Sequence, residues 1–368
     1  DIETLESQKK LKTTVNTAFG LYTENKDTEP GLTVSLNASK LIYDAGSIDQ
    51  SINAARLALN VSSLQVDLVS QQIALQALKA WLNVNKSNEV YKVYSEGMDL
   101  VKPLLGQIKD ISSSGITEKN SLLLAKKDFS KLQVNLEKAK NANELAIQNF
   151  MTIYSTNENI NVSSIENLNL DFKKVSDEQM LFSLNEFKSL KYAILSVSSK
   201  IDSLEKTKKP NIAFRAGIVA PAEKTFDDGT ANAGFIVNYV YNDGGETDSK
   251  IKSLNSSLES IENDILDLNR RKKIEFEVLK KKFNISQTEI VTYTELVDLS
   301  EDLVKTSKAQ LISGRSKIQD VLEAEVQLAI NRIDLINSTA NAKEALIELY
   351  LFLGGLDDFK QWNFVPPR

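Results

Sequence analysis

Alternating apolar and polar positions lead into a very long helical stretch, and the chain does this twice. Over residues 13–24, Val15, Thr17, Phe19 and Leu21 share one face, and Thr14, Asn16, Ala18 and Gly20 share the other. After a polar turn from Asn25 to Pro30, residues 31–43 set Leu32, Val34, Leu36 and Ala38 against Thr33, Ser35, Asn37 and Ser39. Period two with one greasy and one wet face predicts a β-hairpin. Gly46 ends it, and Ser47 and Asp49 are candidate caps for the helix that follows. From about 48 to 112, Leu57, Val61, Leu64, Leu68, Leu75, Leu78 and Leu82 recur at steps of three, four or seven, the spacing of one helical stripe. At about 1.5 Å per residue such a run spans roughly 100 Å. Pro103 is expected to kink it or mark its last section. Ser112 to Gly115 breaks the run, and a helix over about 118–154 returns, which makes an antiparallel helical hairpin.

The second half repeats this plan. An asparagine-rich connector and a helix over about 179–208 come first, stopped by Lys208-Lys209-Pro210. Ile212, Phe214, Ala216 and Ile218 then alternate on a strand at about 211–222, and Phe235, Val237, Tyr239 and Tyr241 on one at about 231–242. Asp227-Asp228-Gly229 between them reads as a turn, without the spacing of a calcium loop. Helices over about 247–312 and 317–353 follow, with a tip at Ser313-Gly314-Arg315-Ser316. Tyr43-Asp44-Ala45-Gly46 returns as Tyr241-Asn242-Asp243-Gly244, Gly115 as Gly314, and Asn141 as Asn341, at offsets of 198, 199 and 200. The expected domains are a first repeat over 1–155, a connector with one helix over 156–209, a second repeat over 210–355 and a tail over 356–368. The expected fold is mostly α with β, two repeats of a β-hairpin plus a long helical hairpin.

Composition narrows what such a plan can do. Only 14 Gly and 6 Pro in 368 residues suit long helices with few turns, and 7% aromatics is too little for several compact cores. The helices must therefore bury narrow stripes against one another. There is no Cys and no His, which removes disulfides, thiolate metal sites and the commonest general base. No catalytic constellation, metal site or cofactor is expected, so the chain does not read as an enzyme. A net charge of −6 and a pI near 5.2 argue against a nucleic-acid partner. No run of 18 apolar residues occurs, so no transmembrane helix is expected; short alternating strands of a barrel wall would look equally polar.

Four strands cannot close a barrel, and open edges are not tolerated in lipid. If the greasy faces meet lipid, several copies must contribute. Three copies supply twelve strands, within the range of membrane barrels, with the wet faces lining a lumen. A different reading is a soluble coiled-coil binding protein whose hairpins never touch lipid.

The chain resembles the TolC-like outer-membrane efflux proteins. The likeness is carried by Leu41-Ile42-Tyr43-Asp44-Ala45-Gly46 before Ala54-Ala55-Arg56, by Ser114-Gly115-Ile116-Thr117 before Ala125, and by Tyr241 to Gly245. Its strongest block is Ser313-Gly314-Arg315-Ser316-Lys317-Ile318-Gln319-Asp320-Val321-Leu322-Glu323-Ala324, followed by Ala342, Ala345, Leu346 and Leu351-Phe352-Leu353-Gly354-Gly355. The resemblance implies a homotrimer with a twelve-stranded barrel in the outer membrane of a Gram-negative bacterium, continued by a helical tunnel in the periplasm. It implies a periplasmic adaptor protein and an inner-membrane pump or ABC transporter as partners, and outer-membrane lipid around the barrel. The implied work is that of an exit duct in a tripartite efflux pump; a duct dedicated to type I protein secretion is the alternative. One departure is that only about ten residues precede the first strand where the family has a longer first helix, so the chain is expected to be trimmed or partly unordered there.

The same resemblance points to sites. Asp320 and Glu323, three apart on one helix face, match the acids of the family's periplasmic aperture; three chains would bring six carboxylates to one axis. Ser316 falls where the family has a basic tether, with Arg315 beside it as the residue that could do that job. The tips, with Gly115, Ile116, Thr117, Gly314 and Arg315, are expected to meet the adaptor, against the plainer reading of simple helix–helix turns. Tyr22, Tyr43, Phe235, Tyr239 and Tyr241 are candidates for aromatic girdles at the membrane interfaces, and Trp81 reads as packing.

Overall fold

A computed structural model of the chain describes residues 2–24, 27–113, 119–154, 184–221 and 230–352. Helix α1 (Ile2–Ser7) precedes the strands β1 (Lys12–Glu24) and β2 (Asp27–Tyr43). Then come α2 (Ser47–Ser113), α3 (Lys119–Tyr154), α4 (Asn185–Thr207), β3 (Asn211–Pro221), β4 (Thr230–Asn238), α5 (Glu246–Ile312) and α6 (Ile318–Phe352). The described chain is mostly helical with one four-stranded antiparallel sheet, in the order β1-β2-β3-β4. Helix α2 runs through Pro103 to Ser113 as a single helix. Two compact units form, one from residues 1–67 and 185–269, the other from 68–184 and 270–368.

The first unit holds the sheet. Its register sets Val15 opposite Leu36, Leu36 opposite Ile218 and Ile218 opposite Ala231. All four alternating stripes therefore lie on one face, as the pattern predicted. Strand β2 starts at Asp27 rather than near 31, because backbone pairing of Thr28 with Thr23 and Glu29 with Tyr22 continues where side-chain alternation stops. Strand β4 ends at Asn238 rather than near 242. Its partner β3 begins at Asn211, just after Pro210, so no ladder remains beyond the Asn211–Asn238 pair. Tyr239 and Tyr241 lie past the strand and are 58% and 90% exposed.

Helix α4 lies on the first turns of α2 through a row of serines. The hydroxyls of Ser47 and Ser51 bond that of Ser203 at 3.1 and 2.8 Å, Ser203 donates to the Ser47 carbonyl at 2.9 Å, Asn53 donates to Ser199 at 3.0 Å, and Ser196 donates to the Ala54 carbonyl at 2.9 Å. Ser196, Ser199 and Ser203 are buried, and each polar group is satisfied inside the contact. Ser47 and Asp49 do not cap α2. Ser47 belongs to the serine row, and Asp49 accepts from Lys9. The cap is Asp44, whose carboxylate takes the Gly46 and Ile48 amides at 3.0 and 2.7 Å.

The same cap stands before α5. Asp243 takes the Gly245 and Thr247 amides at 2.9 and 2.8 Å. The two halves thus superpose at an offset of 199 here, Asp44 on Asp243, and not at the 198 that matching the tyrosines suggests. Gly46 (φ 80°) corresponds to Gly245 (φ 85°), and Ala45 (φ 56°) to Gly244 (φ 68°). The extra residue of the second half, Asn242, lies between Tyr241 and Asp243, past the end of β4 at Asn238.

Among the described residues the second unit has several separate apolar clusters in place of one globular core. Leu78, Trp81 and Leu82 of α2 pack with Ala146 and Phe150 of α3 and Ile347 and Leu351 of α6. Further along, Val101 and Ile108 of α2, Ala125 and Leu132 of α3 and Leu322 of α6 form a second cluster. Val304 of α5 with Ala324 and Leu328 of α6 forms another. Helix α6 is buried along its length, from Val321 to Leu351, whereas α5 leaves Ile274, Val278, Ile285, Leu296, Leu299 and Leu303 exposed on one helical stripe.

Candidate functional site

The α5–α6 tip is built by two complementary end motifs. At the end of α5 the Arg315 amide reaches the Gln310 carbonyl at 2.8 Å and the Gly314 amide the Leu311 carbonyl at 3.0 Å. Gly314 supplies the left-handed residue (φ 70°) that this Schellman geometry requires. At the start of α6 the Asp320 carboxylate folds back onto the Lys317 amide at 2.9 Å and accepts from the Ser316 hydroxyl at 2.8 Å. A carboxylate in the first turn also meets the positive end of the helix dipole. Asp320 therefore carries a structural duty in addition to its charge. Ser316 spends its hydroxyl within this turn.

Glu323, one turn on, is exposed, and among the described residues neither it nor Arg315 has a side-chain partner. Ile312 beside Arg315 is 89% exposed. The corresponding tip at Gly115, Ile116 and Thr117 lies outside the described residues.

Below the tip, polar clasps that periodicity does not disclose hold α5 to α6. Glu325, only 4% exposed, accepts from Lys308 at 2.6 Å. The Asn331 amide donates to Ser300 at 2.7 Å, Gln327 donates to Asn331 at 3.0 Å, and Arg332 pairs with Glu301 at 2.8 Å. Farther along α6, Glu344 and Glu348 pair with Lys79 of α2 and Lys282 of α5, at 3.2 Å for Lys79–Glu344 and Lys282–Glu348. Burial works against the Lys79 ammonium, but the hydrogen bonds and charges of Glu348 and Glu344 outweigh it and hold its pKa above the ordinary lysine value. Burial likewise opposes ionisation of Glu344, and Lys79 and Lys282 more than reverse this, pulling its carboxyl below the usual range. The signal that could have pointed to these clasps is the presence of charges inside the apolar run of α6.

On the sheet, Phe214 and Phe235 meet edge to face at 5.6 Å on the apolar side, and Phe235 is 69% exposed. Tyr43 pairs opposite Ile212 at the strand ends nearest the helices, and Tyr239 and Tyr241 follow β4 at the same end. The side chain of Tyr22 lies outside the described residues. Trp81 is buried in the helical core, as a packing residue should be.

No protein-family model matches the sequence, and no curated protein matches it. Solved structures do. The outer membrane protein VceC from the pathogen Vibrio cholerae aligns with a TM-score of 0.80 and 12% identity, over 96% of this chain and 89% of its own. A membrane protein from Pseudomonas aeruginosa aligns with a TM-score of 0.83 and 12% identity, over 96% and 86%. The open state of the Neisseria gonorrhoeae MtrE outer membrane channel gives 0.78 and 12%, over 96% and 82%. The chain has the TolC-like fold. Within that TolC-like fold the two β-hairpins and the two helical hairpins stand in the order that the sequence repeats announced. Among the described residues no helix is long and apolar enough to cross a membrane, and no cluster of acidic residues is arranged to hold a metal.

Proposed function

We propose that this chain is the protomer of a trimeric outer-membrane channel-tunnel, the exit duct of a tripartite efflux pump. The observation that carries the reading is the sheet. It has an exposed apolar face, with Val15, Phe19, Ile218 and Val237 all more than half exposed, and, among the described residues, two unpaired edges, β1 and β4. Lipid accepts the face but not the edges, and three copies meeting edge to edge satisfy both. The exposed stripe on α5 adds a second surface that a neighbouring chain would cover. The TolC-like fold, shared with proteins described as outer membrane channels, supports the same assignment. The duct works without a cofactor or catalysis of its own, draws on an inner-membrane pump, and meets a periplasmic adaptor at its hairpin tips.

In this reading Asp320 and Glu323 of three chains set the charge at the periplasmic aperture, and Arg315 at the tip meets a neighbouring helix or the adaptor. Single-channel recording in planar bilayers tests it. Asp320→Asn keeps an acceptor for the Lys317 amide and removes the charge, so it separates gating from capping. Asp320→Asn with Glu323→Gln is expected to weaken block by divalent cations, and unchanged block would take both residues out of the gate.

A further inference from the structure

The wet face of the sheet carries a transverse basic row. Lys12 of β1 pairs with Ser39 of β2, Ser39 pairs with Arg215 of β3, and Arg215 pairs with Gly234 of β4. The next row is Thr14, Asn37, Gly217 and Asn232. A Cβ at Gly217 would stand 2.9 Å from the Asn37 Oδ1 and 3.2 Å from the Asn232 Oδ1, so those asparagines lie over Gly217 on one face. Arg215 and Lys12, two residues from Gly217 and Thr14, share that face by the period-two rule. Phe214 and Phe235 mark the opposite face. Lys12 and Arg215 are two strands apart, about 10 Å at the usual strand spacing. Both are exposed, and among the described residues neither has a hydrogen-bond or ion-pair partner.

Five carboxylates near this end are engaged elsewhere. Asp49 holds Lys9, Glu6 holds Arg56, Asp248 holds Lys208, and Asp44 and Asp243 hold helix N-termini. The acids within the sheet, Glu24, Asp27 and Glu29, stand at the far end of β1 and β2. From Lys12 to Glu24 the strand runs roughly 40 Å, several Debye lengths at physiological salt.

We infer that the Lys12–Ser39–Arg215 row is an electrostatic filter that favours small anionic solutes over cationic ones at the helix end of the barrel lumen. The inference rests on the proposed trimeric barrel, in which three such rows join into one ring of six basic groups. A ring of one sign in a confined, low-dielectric passage raises the local concentration of opposite charge, and the asparagine row beside it adds uncharged hydrogen-bonding groups without cancelling the field.

The chain has no cysteine, so one introduced thiol reports locally. In the full-length protein reconstituted in lipid vesicles, Asn37→Cys and, separately, Asn232→Cys are modified with an anionic sulfonatoethyl and a cationic trimethylammonioethyl methanethiosulfonate. Each rate is normalised to a free small thiol. The anionic reagent is expected to be favoured roughly fivefold, with the preference fading in 1 M salt. Adding Lys12→Gln and Arg215→Gln should bring the ratio to about one, while Arg215→Lys should keep the preference. A ratio near one in the unmodified row, or a preference that survives both neutral substitutions, overturns the filter. Val15→Cys, on the apolar face, separates the two levels. If it resists both reagents while Asn37→Cys reacts, the barrel stands whatever the ratio. If it reacts as fast as Asn37→Cys, the barrel reading fails and the filter with it.

Discussion

Ala45 adopts a left-handed backbone that its counterpart Gly244 takes without strain. An L-residue with a Cβ costs about 1 kcal/mol there. Ala45→Gly is expected to raise the thermal midpoint of the purified protein by an amount worth about 0.5–1 kcal/mol, and Gly244→Ala to lower it by about 1 kcal/mol. Asp243, the cap two residues before Gly245, has its carboxyl held down to about 2, first by the Thr247 hydroxyl and amide and then by the Gly245 amide. A depressed carboxyl stabilises above its unfolded value of 3.8 and loses that contribution as the pH falls toward about 2. Amide hydrogen exchange at residues 245–249 should therefore accelerate, beyond its intrinsic pH dependence, between pH 4 and 2, and Asp243→Asn should remove that step. At this scale the sequence was partly legible. The repeated Tyr-Asp-Ala-Gly block marked where each helix starts, but the cap was expected at Ser47 and Asp49, whereas the carboxylates that take the first amides are Asp44 and Asp243.

The long helices and paired strands were legible because their stripes recur for many turns. Their mutual contacts were not, because Lys308 and Glu325, or Lys79 and Glu348, share no periodicity. Glu325 is nearly sealed off while Lys308 is half exposed. Lys308→Met strands the carboxylate and is expected to destabilise the α5–α6 hairpin by about 2 kcal/mol. Glu325→Gln with Lys308→Met should recover part of the loss, as a double-mutant cycle in urea would show. The Glu344 cluster adds acid sensitivity. Its lowered carboxyl contributes above the unfolded value of 4.5, and the contribution disappears as the pH falls through the lower folded value. Unfolding midpoints should drop below pH 4.5 in the parent protein, and this part of the drop should shrink in Glu344→Gln. The serine row between α2 and α4 was illegible for another reason. Ser196, Ser199 and Ser203 are small polar residues at helical spacing, yet they are buried because their hydroxyls find carbonyls and other hydroxyls.

For the whole molecule, one chain leaves a sheet with an exposed greasy side and two raw edges, and this was foreseeable from four alternating stripes and the bar on open edges in lipid. What the pattern could not supply is the pairing of β2 with β3, far apart in sequence, which merges two hairpins into one wall segment. The α5 stripe at Ile274, Val278, Ile285, Leu296, Leu299 and Leu303 asks for the same remedy as the edges, namely another chain. Replacing Leu299 and Leu303 by Ser should therefore loosen assembly without unfolding the protomer's own helices, seen as a shift from trimer to monomer with helical circular dichroism retained.

The most direct test is the protein mass within its detergent micelle, measured by light scattering with the detergent contribution subtracted. The expected mass is that of three chains of 41.0 kDa each, about 123 kDa, with precipitation when detergent is withdrawn. A 41.0 kDa monomer that stays dispersed in plain buffer would contradict it.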